Sequence, residues 1–219
     1  MKRFSDLRLA SGLGHPMTNL TSEHMAVGKR LFQSAAAAAL LMEETLSEIY
    51  VRLGLGRGLL SRKMPDQVKA QTAIEAWAYV SALLVSLVET CSARPQPADL
   101  QAIIRVLEGA LLDAQRINLR PEYSAYRLRL REGRSSLGVP DPTIFGPMYS
   151  LHEDFHIRLA LAWGVPSRET GSPFSPSWTV GKAEQTQDAF TMAISEMAQR
   201  IEGGFRKGLD ELWPIRPQR

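Results

Sequence analysis

The chain has 219 residues, enough to bury a sizeable core, and its 44% hydrophobic and 22% charged residues set it apart from disordered, collagen-like and disulfide-scaffold compositions. A formal net charge of +3 implies no partner by itself. The one cysteine, Cys91, excludes an internal disulfide framework and a cysteine-cluster zinc site, and it suits a reducing cytoplasm.

The basic residues are unevenly chosen. Arginine outnumbers lysine 20 to 6, and the flat guanidinium fork grips phosphates and carboxylates at two points and stacks on aromatic rings. A GC-rich genome produces the same ratio, so the count alone does not decide a function.

The opening MKRFSDLRLASGLG carries positive charge without the apolar stretch of a secretory leader. Residues 1–20, with Gly12, Gly14 and Pro16, show no periodicity and read as a flexible N-terminal arm. Thr21 or Ser22 then caps a long helix to about Leu53. Its apolar residues Leu31, Ala35, Ala38, Met42, Leu46 and Ile49 fall three and four apart. Five alanines at 35–39 remove side-chain bulk, so another helix can approach there.

The stretch LGLGRG, with Gly54, Gly56 and Gly58, ends that helix. Alternate glycines can cradle a phosphate only between a strand and a helix start, and here a helix comes first. A basic connector leads to Pro65, suited to the first turn of a second helix over about 66–92. The run Ala76–Val88 is apolar on every side, the mark of a rod surrounded by rods. Its 13 residues fall short of the roughly 20 a membrane span needs, so it is expected to be a core helix and no membrane partner is expected.

Pro95 and Pro97 precede a third helix over about 98–117, with Leu100, Ile103, Leu107, Ala110 and Leu111 inward. The next segment, EYSAYRLRLREGR, alternates like a strand, yet as a helix it places Tyr123, Arg127, Arg131 and Arg134 on one face. Helix is preferred, because no second strand exists to pair with it. Pro140, Pro142 and Pro147 mark a loop, and a helix over about 148–163 follows. Irregular chain from Gly164 to Gly181 leads to a last helix, about 182–212, whose inner side is Phe190, Ile194, Met197, Ile201, Phe205 and Leu209. The expected fold is all-α: five main helices and a short basic one in a single domain, 21–213, packed around the second helix, with a tail at 214–219.

Two features carry candidate chemistry. HEDFH at 152–156 puts His152 and His156 side by side on a helix, where both imidazoles can bind zinc while Glu153 acts as general base. Glu184 or Glu196 on the last helix would be the third ligand, and His24 or Glu43 an extra ligand in a non-hydrolytic metal site. Against a zinc hydrolase stand the charged Asp154 and Arg158, which read as a surface ion pair, and the lack of a sheet to wall a substrate cleft. Without metal, both histidines would flank the apolar stripe of Met148, Leu151, Phe155 and Leu159 as hydrogen-bonded neutral rings.

The second feature is charge. Arg116, Arg120, Arg127, Arg129, Arg131 and Arg134 face only Glu122 and Glu132 within their window, and Arg57, Arg62 and Lys63 lie in another basic window. If both windows meet at one end of the bundle, they form a phosphate-binding surface, with Tyr123 and Tyr126 as stacking faces for unpaired bases. About five phosphate contacts would give a log–log salt slope near −4 without base readout. The expectation is therefore a cytoplasmic, non-catalytic binding or scaffold subunit of a nucleoprotein or protein assembly, needing no cofactor. The alternatives are the zinc-dependent hydrolase and an interaction module for proteins without nucleic acid.

Overall fold

A computed structural model describes residues 20–55, 63–90, 97–113, 118–132, 148–165 and 180–213. Six helices and no strand occur among these residues: α1 (Ser22–Arg52), α2 (Asp66–Thr90), α3 (Pro97–Asp113), α4 (Arg120–Glu132), α5 (Tyr149–Trp163) and α6 (Val180–Leu212). The protein is an all-α helical bundle, and the ambiguous EYSAYRLRLREGR segment contributes α4. Residues 1–19 of the arm expected at 1–20 lie outside the described residues, as do 214–219 and Cys91.

Helix α2 touches all five other helices, while α1 also packs on α3 and α6, and α5 also packs on α4 and α6. This explains its sequence. From Ala76 to Val88 every residue is buried, because no side of that rod meets water. At 25 residues α2 is long and apolar enough to cross a membrane by length and composition, and most of its apolar window is buried against the other helices.

Helix α1 starts at a reciprocal cap. Thr21 Oγ1 accepts from the His24 N–H at 3.2 Å, and His24 Nδ1 accepts from the Thr21 N–H at 3.2 Å, which satisfies two backbone donors the helix leaves free. His24 stands where a capping box usually has Glu or Gln, and its Nε2–H donates to Asp99 at 3.1 Å, tying the start of α1 to the start of α3. The helix stops at Gly54, whose φ of +67° is left-handed and favours glycine. Where α1 crosses α3, a Cβ on Gly28 would lie 2.5 Å from Val106 Cγ1, so only glycine permits the approach.

Helix α6 is the most regular amphipath. Phe190, Ile194, Met197, Ile201, Phe205 and Leu209 are all buried, as their spacing predicts. In α1, Leu31, Ala35, Met42, Leu46 and Ile49 are likewise buried, whereas Ala38 is only half-buried and Ala39 takes the inner position.

Candidate functional site

HEDFH lies on α5, pressed against α2 on one side and α6 on the other. Phe155 is 0% exposed and stacks on Tyr79 of α2 with ring centroids 4.1 Å apart. The centre of the motif is therefore core. His152 is held at both ring nitrogens: Nδ1 lies 2.7 Å from the Tyr79 hydroxyl and Nε2 lies 2.7 Å from Glu202 Oε2 on α6. A carboxylate can only accept, so Nε2 carries the proton toward Glu202, and in the neutral ring Nδ1 accepts from the Tyr79 O–H. Arg206 completes the chain by donating to Glu202 Oε1 from Nε at 2.7 Å.

His156 points elsewhere. Its Nε2 is 3.0 Å from Thr191 Oγ1, and its ring lies 4.8 Å from that of Phe190. Glu184, the proposed third zinc ligand, is exposed on α6, and Glu196 is ion-paired with Arg200 at 2.7 Å. Among the described residues no three His, Cys, Asp or Glu side chains group as a metal ligand set. The geometry does not assemble His152, His156 and Glu184 around one point, and a metal on His152 would have to displace Tyr79 or Glu202. His24 and Glu43 are also engaged, with Asp99 and with Trp77 Nε1–H at 2.5 Å.

Asp154 does not stand at the surface, contrary to the sequence expectation of an exposed pair with Arg158. Asp154 is 3% exposed. The Arg158 guanidinium sits 5.0 Å above the ring of Tyr126, and its Nη1 lies 3.8 Å from Glu75 Oε1. Glu75 is a buried carboxylate on α2, and it also accepts from the Tyr126 hydroxyl at 2.8 Å and from Gln71 Nε2 at 2.9 Å. A buried charge needs such partners to offset its lost hydration. Three helices, α2, α4 and α5, are thereby keyed together by one acid.

Burial and neighbouring charge show in the titration of these groups. Desolvation, followed by the charge of Glu202, raises Tyr79 well above its ordinary value. Tyr126 is raised chiefly by burial and then by Glu75. Desolvation lowers His156 from its ordinary 6.5. Burial pushes Glu202 up, but the hydrogen bonds and charges of His152 and Arg206 prevail and hold it below its ordinary 4.5.

The last two shifts act on stability in the same direction. Below about pH 6.5 the unfolded chain protonates His156 more readily than the folded chain does, so stability falls as pH drops. For Glu202 the stabilisation is complete above 4.5 and is lost as pH falls through its lower folded value. The urea midpoint is accordingly expected to hold down to about pH 6.5, to decline below it, and to decline further below about 4.5. His156→Gln should remove the upper step; an unchanged profile in that variant would contradict the assignment.

The basic set is dispersed or engaged where it is described. Arg57, Arg62, Arg116 and Arg134 lie outside the described residues, and Arg129 and Arg131 belong to α4. Lys63 is exposed just before α2. Arg120 pairs with Asp113 at the surface. Arg127 turns inward: its side chain is 11% exposed, and it donates to Ser86 Oγ at 2.7 Å and to Glu89 Oε1 at 2.5 Å. Ser86 lies 20 residues along α2 from Asp66, about 30 Å of helix. Lys63 and the Arg127 anchor are therefore at opposite ends of α2, contrary to a single basic end. Tyr123 and Tyr126 are buried and hydrogen-bonded to Glu108 and Glu75, so neither ring offers a face to a base.

What the sequence reading missed is a groove of about 860 Å³ between α1 and α6. Its floor is Met42, Ile49, Met197, Ile201 and Phe205, all buried. Its walls are small or open: Ser34, Ala37, Ala38 and Thr45 on α1, and Ala193 and Gly204 on α6. Leu41 stands at the mouth, 59% exposed. The signal was present in α1 as a second stripe, one position before the core stripe. Ser34, Ala38, Leu41, Thr45, Glu48 and Arg52 repeat at spacings of four and three.

The chain matches no protein-family model, and no curated protein or solved structure is similar to it.

Proposed function

We propose that this all-α bundle is a binding subunit that docks a partner protein along the groove between α1 and α6. The observation that carries this reading is the groove itself: an apolar floor between two long helices, small-residue walls and an exposed leucine at the rim. Clefts of this size lined by apolar side chains are where occupants gain most from leaving water. The groove also has the shape that helical recognition segments fill, inserting side chains at helical spacing.

The polar groups of HEDFH support the same reading from the other direction. His152 is bridged to Tyr79 and Glu202, which makes it a link between helices α2, α5 and α6. Nucleic acid is left aside in this reading, because Arg127 serves Glu89, Arg120 serves Asp113, and both candidate stacking tyrosines are interior.

Affinity capture from extract of cells that produce the protein tests it. A protein retained by the wild type and by Leu40→Arg, but shed by Leu41→Arg, is the expected result. Leu40 is as exposed as Leu41 yet does not line the groove, so it controls for a surface charge. Equal retention by all three would remove the groove from the function.

A further inference from the structure

We propose that the protein seated on this groove is a second copy of the chain, two copies pairing face to face through α1 and α6; the proposal rests on the docking reading above and names the partner. Helix α1 carries two heptad-spaced stripes. The inner one (Ala35, Ala39, Met42, Leu46, Ile49) packs within the bundle, and all of its members are 4% exposed or less. The outer one lines the groove wall without a helix of the described bundle filling it. Opposite, α6 offers Ala193, Met197, Arg200 and Gly204 at spacings of four, three and four. A repeat averaging 3.5 residues is what helices use when they pack along their length.

Self-pairing requires one surface to hold both the projection and the recess, because in a two-fold contact the same patch meets itself. This surface does. Leu41 projects, and Ala37, Ala38 and Gly204 leave room beside it; a Cβ built on Gly204 meets nothing within 4 Å. Charge is self-compatible as well. The α1 wall ends in Glu48 and Arg52, and the α6 wall carries the Glu196–Arg200 pair, so each wall is neutral and a copy meets no excess of its own sign.

The extent is that of a small interface. From Ser34 to Arg52 the lining spans 19 residues, about 28 Å of helix, and two helices side by side are about 20 Å wide. That projection, about 560 Å², understates the accessible area of a corrugated helical face, and a standard interface needs about 800 Å² per partner.

Sedimentation equilibrium of the full chain over a wide concentration range decides the matter. The expected particle has twice the 24.3 kDa chain mass. Leu41→Arg, which would bury an unpaired charge at the contact, should weaken association at least about tenfold, as should Gly204→Gln, which fills the recess. Leu40→Arg should pair like the wild type. Both disruptive changes fall at open positions, and an unchanged helical spectrum and melting point would confirm that each variant folds. A wild type that stays monomeric throughout, or a dimer indifferent to Leu41→Arg and Gly204→Gln, overturns the proposal. A monomeric wild type whose Leu41→Arg variant still sheds a different captured protein would refute self-pairing and leave the docking function standing.

Discussion

Phe155→Ala is expected to lower the unfolding free energy by about 3–5 kcal/mol, the usual cost of emptying a buried aromatic site. The ring is 0% exposed and lies stacked on Tyr79, so its loss leaves a cavity bounded by a residue that is itself fully buried. At roughly 2–4 °C per kcal/mol for a chain of this size, the melting point should fall by about 10 °C. His156→Ala, at the adjacent position about 100° round the helix and bonded to a threonine hydroxyl, should cost no more than about 1–2 kcal/mol. Urea unfolding of the two variants compares them. A Phe155→Ala cost under about 1 kcal/mol would mean that α5 does not pack through this residue.

The second large effect belongs to the buried Tyr79–His152–Glu202 chain. His152→Ala strips the Tyr79 hydroxyl of its protein partner, and an orphaned buried hydroxyl costs about 1–3 kcal/mol beyond the lost packing. Tyr79→Phe alone should cost less, about 0.5–1.5 kcal/mol, because His152 keeps Glu202 and remains partly solvated. The double variant is the informative one. Removing the hydroxyl from a protein that already lacks the imidazole should cost almost nothing or restore stability, so the two effects fall short of adding by about 1 kcal/mol or more. Strict additivity in a double-mutant cycle would show that hydroxyl and ring are not coupled.

These two cases also show where sequence reading succeeds. Met148, Leu151, Phe155 and Leu159 recur at three and four residues, and that period places them on one side of a helix whatever the neighbours are. The same logic recovered the inner faces of α3 and α6 and the surrounded character of α2. It also placed both histidines at the flank of the apolar stripe. It did not name their partners, because Tyr79 and Glu202 lie 73 and 50 residues from His152 along the chain.

The partners of charged residues are less legible in sequence for a physical reason. Asp154 and Arg158 are four apart, and on a lone helix they would meet in solvent. In the bundle Asp154 is buried and Arg158 reaches Glu75 and the face of Tyr126, because α4 and α2 bring an acid and a ring within range. The sequence presents Arg127 as a cation available to phosphate, but Glu89 and Ser86 of α2 claim it. Burial opposes its charge, and the hydrogen bond it donates to Glu89 and the surrounding charges more than compensate, so the guanidinium remains ionised inside the protein.

By itself the sequence determined that this is a helical bundle, roughly where its helices lie, and which face of α1, α3, α5 and α6 turns inward. Those properties depend on local periodicity, caps and breakers, all read within a few residues. Only the tertiary structure decided that HEDFH is a brace between α2, α5 and α6, that the central arginine of the basic set is interior, and that an apolar groove lies open between α1 and α6. Each of these depends on which helices become neighbours, and side-chain spacing along one helix holds no information about the helix across from it.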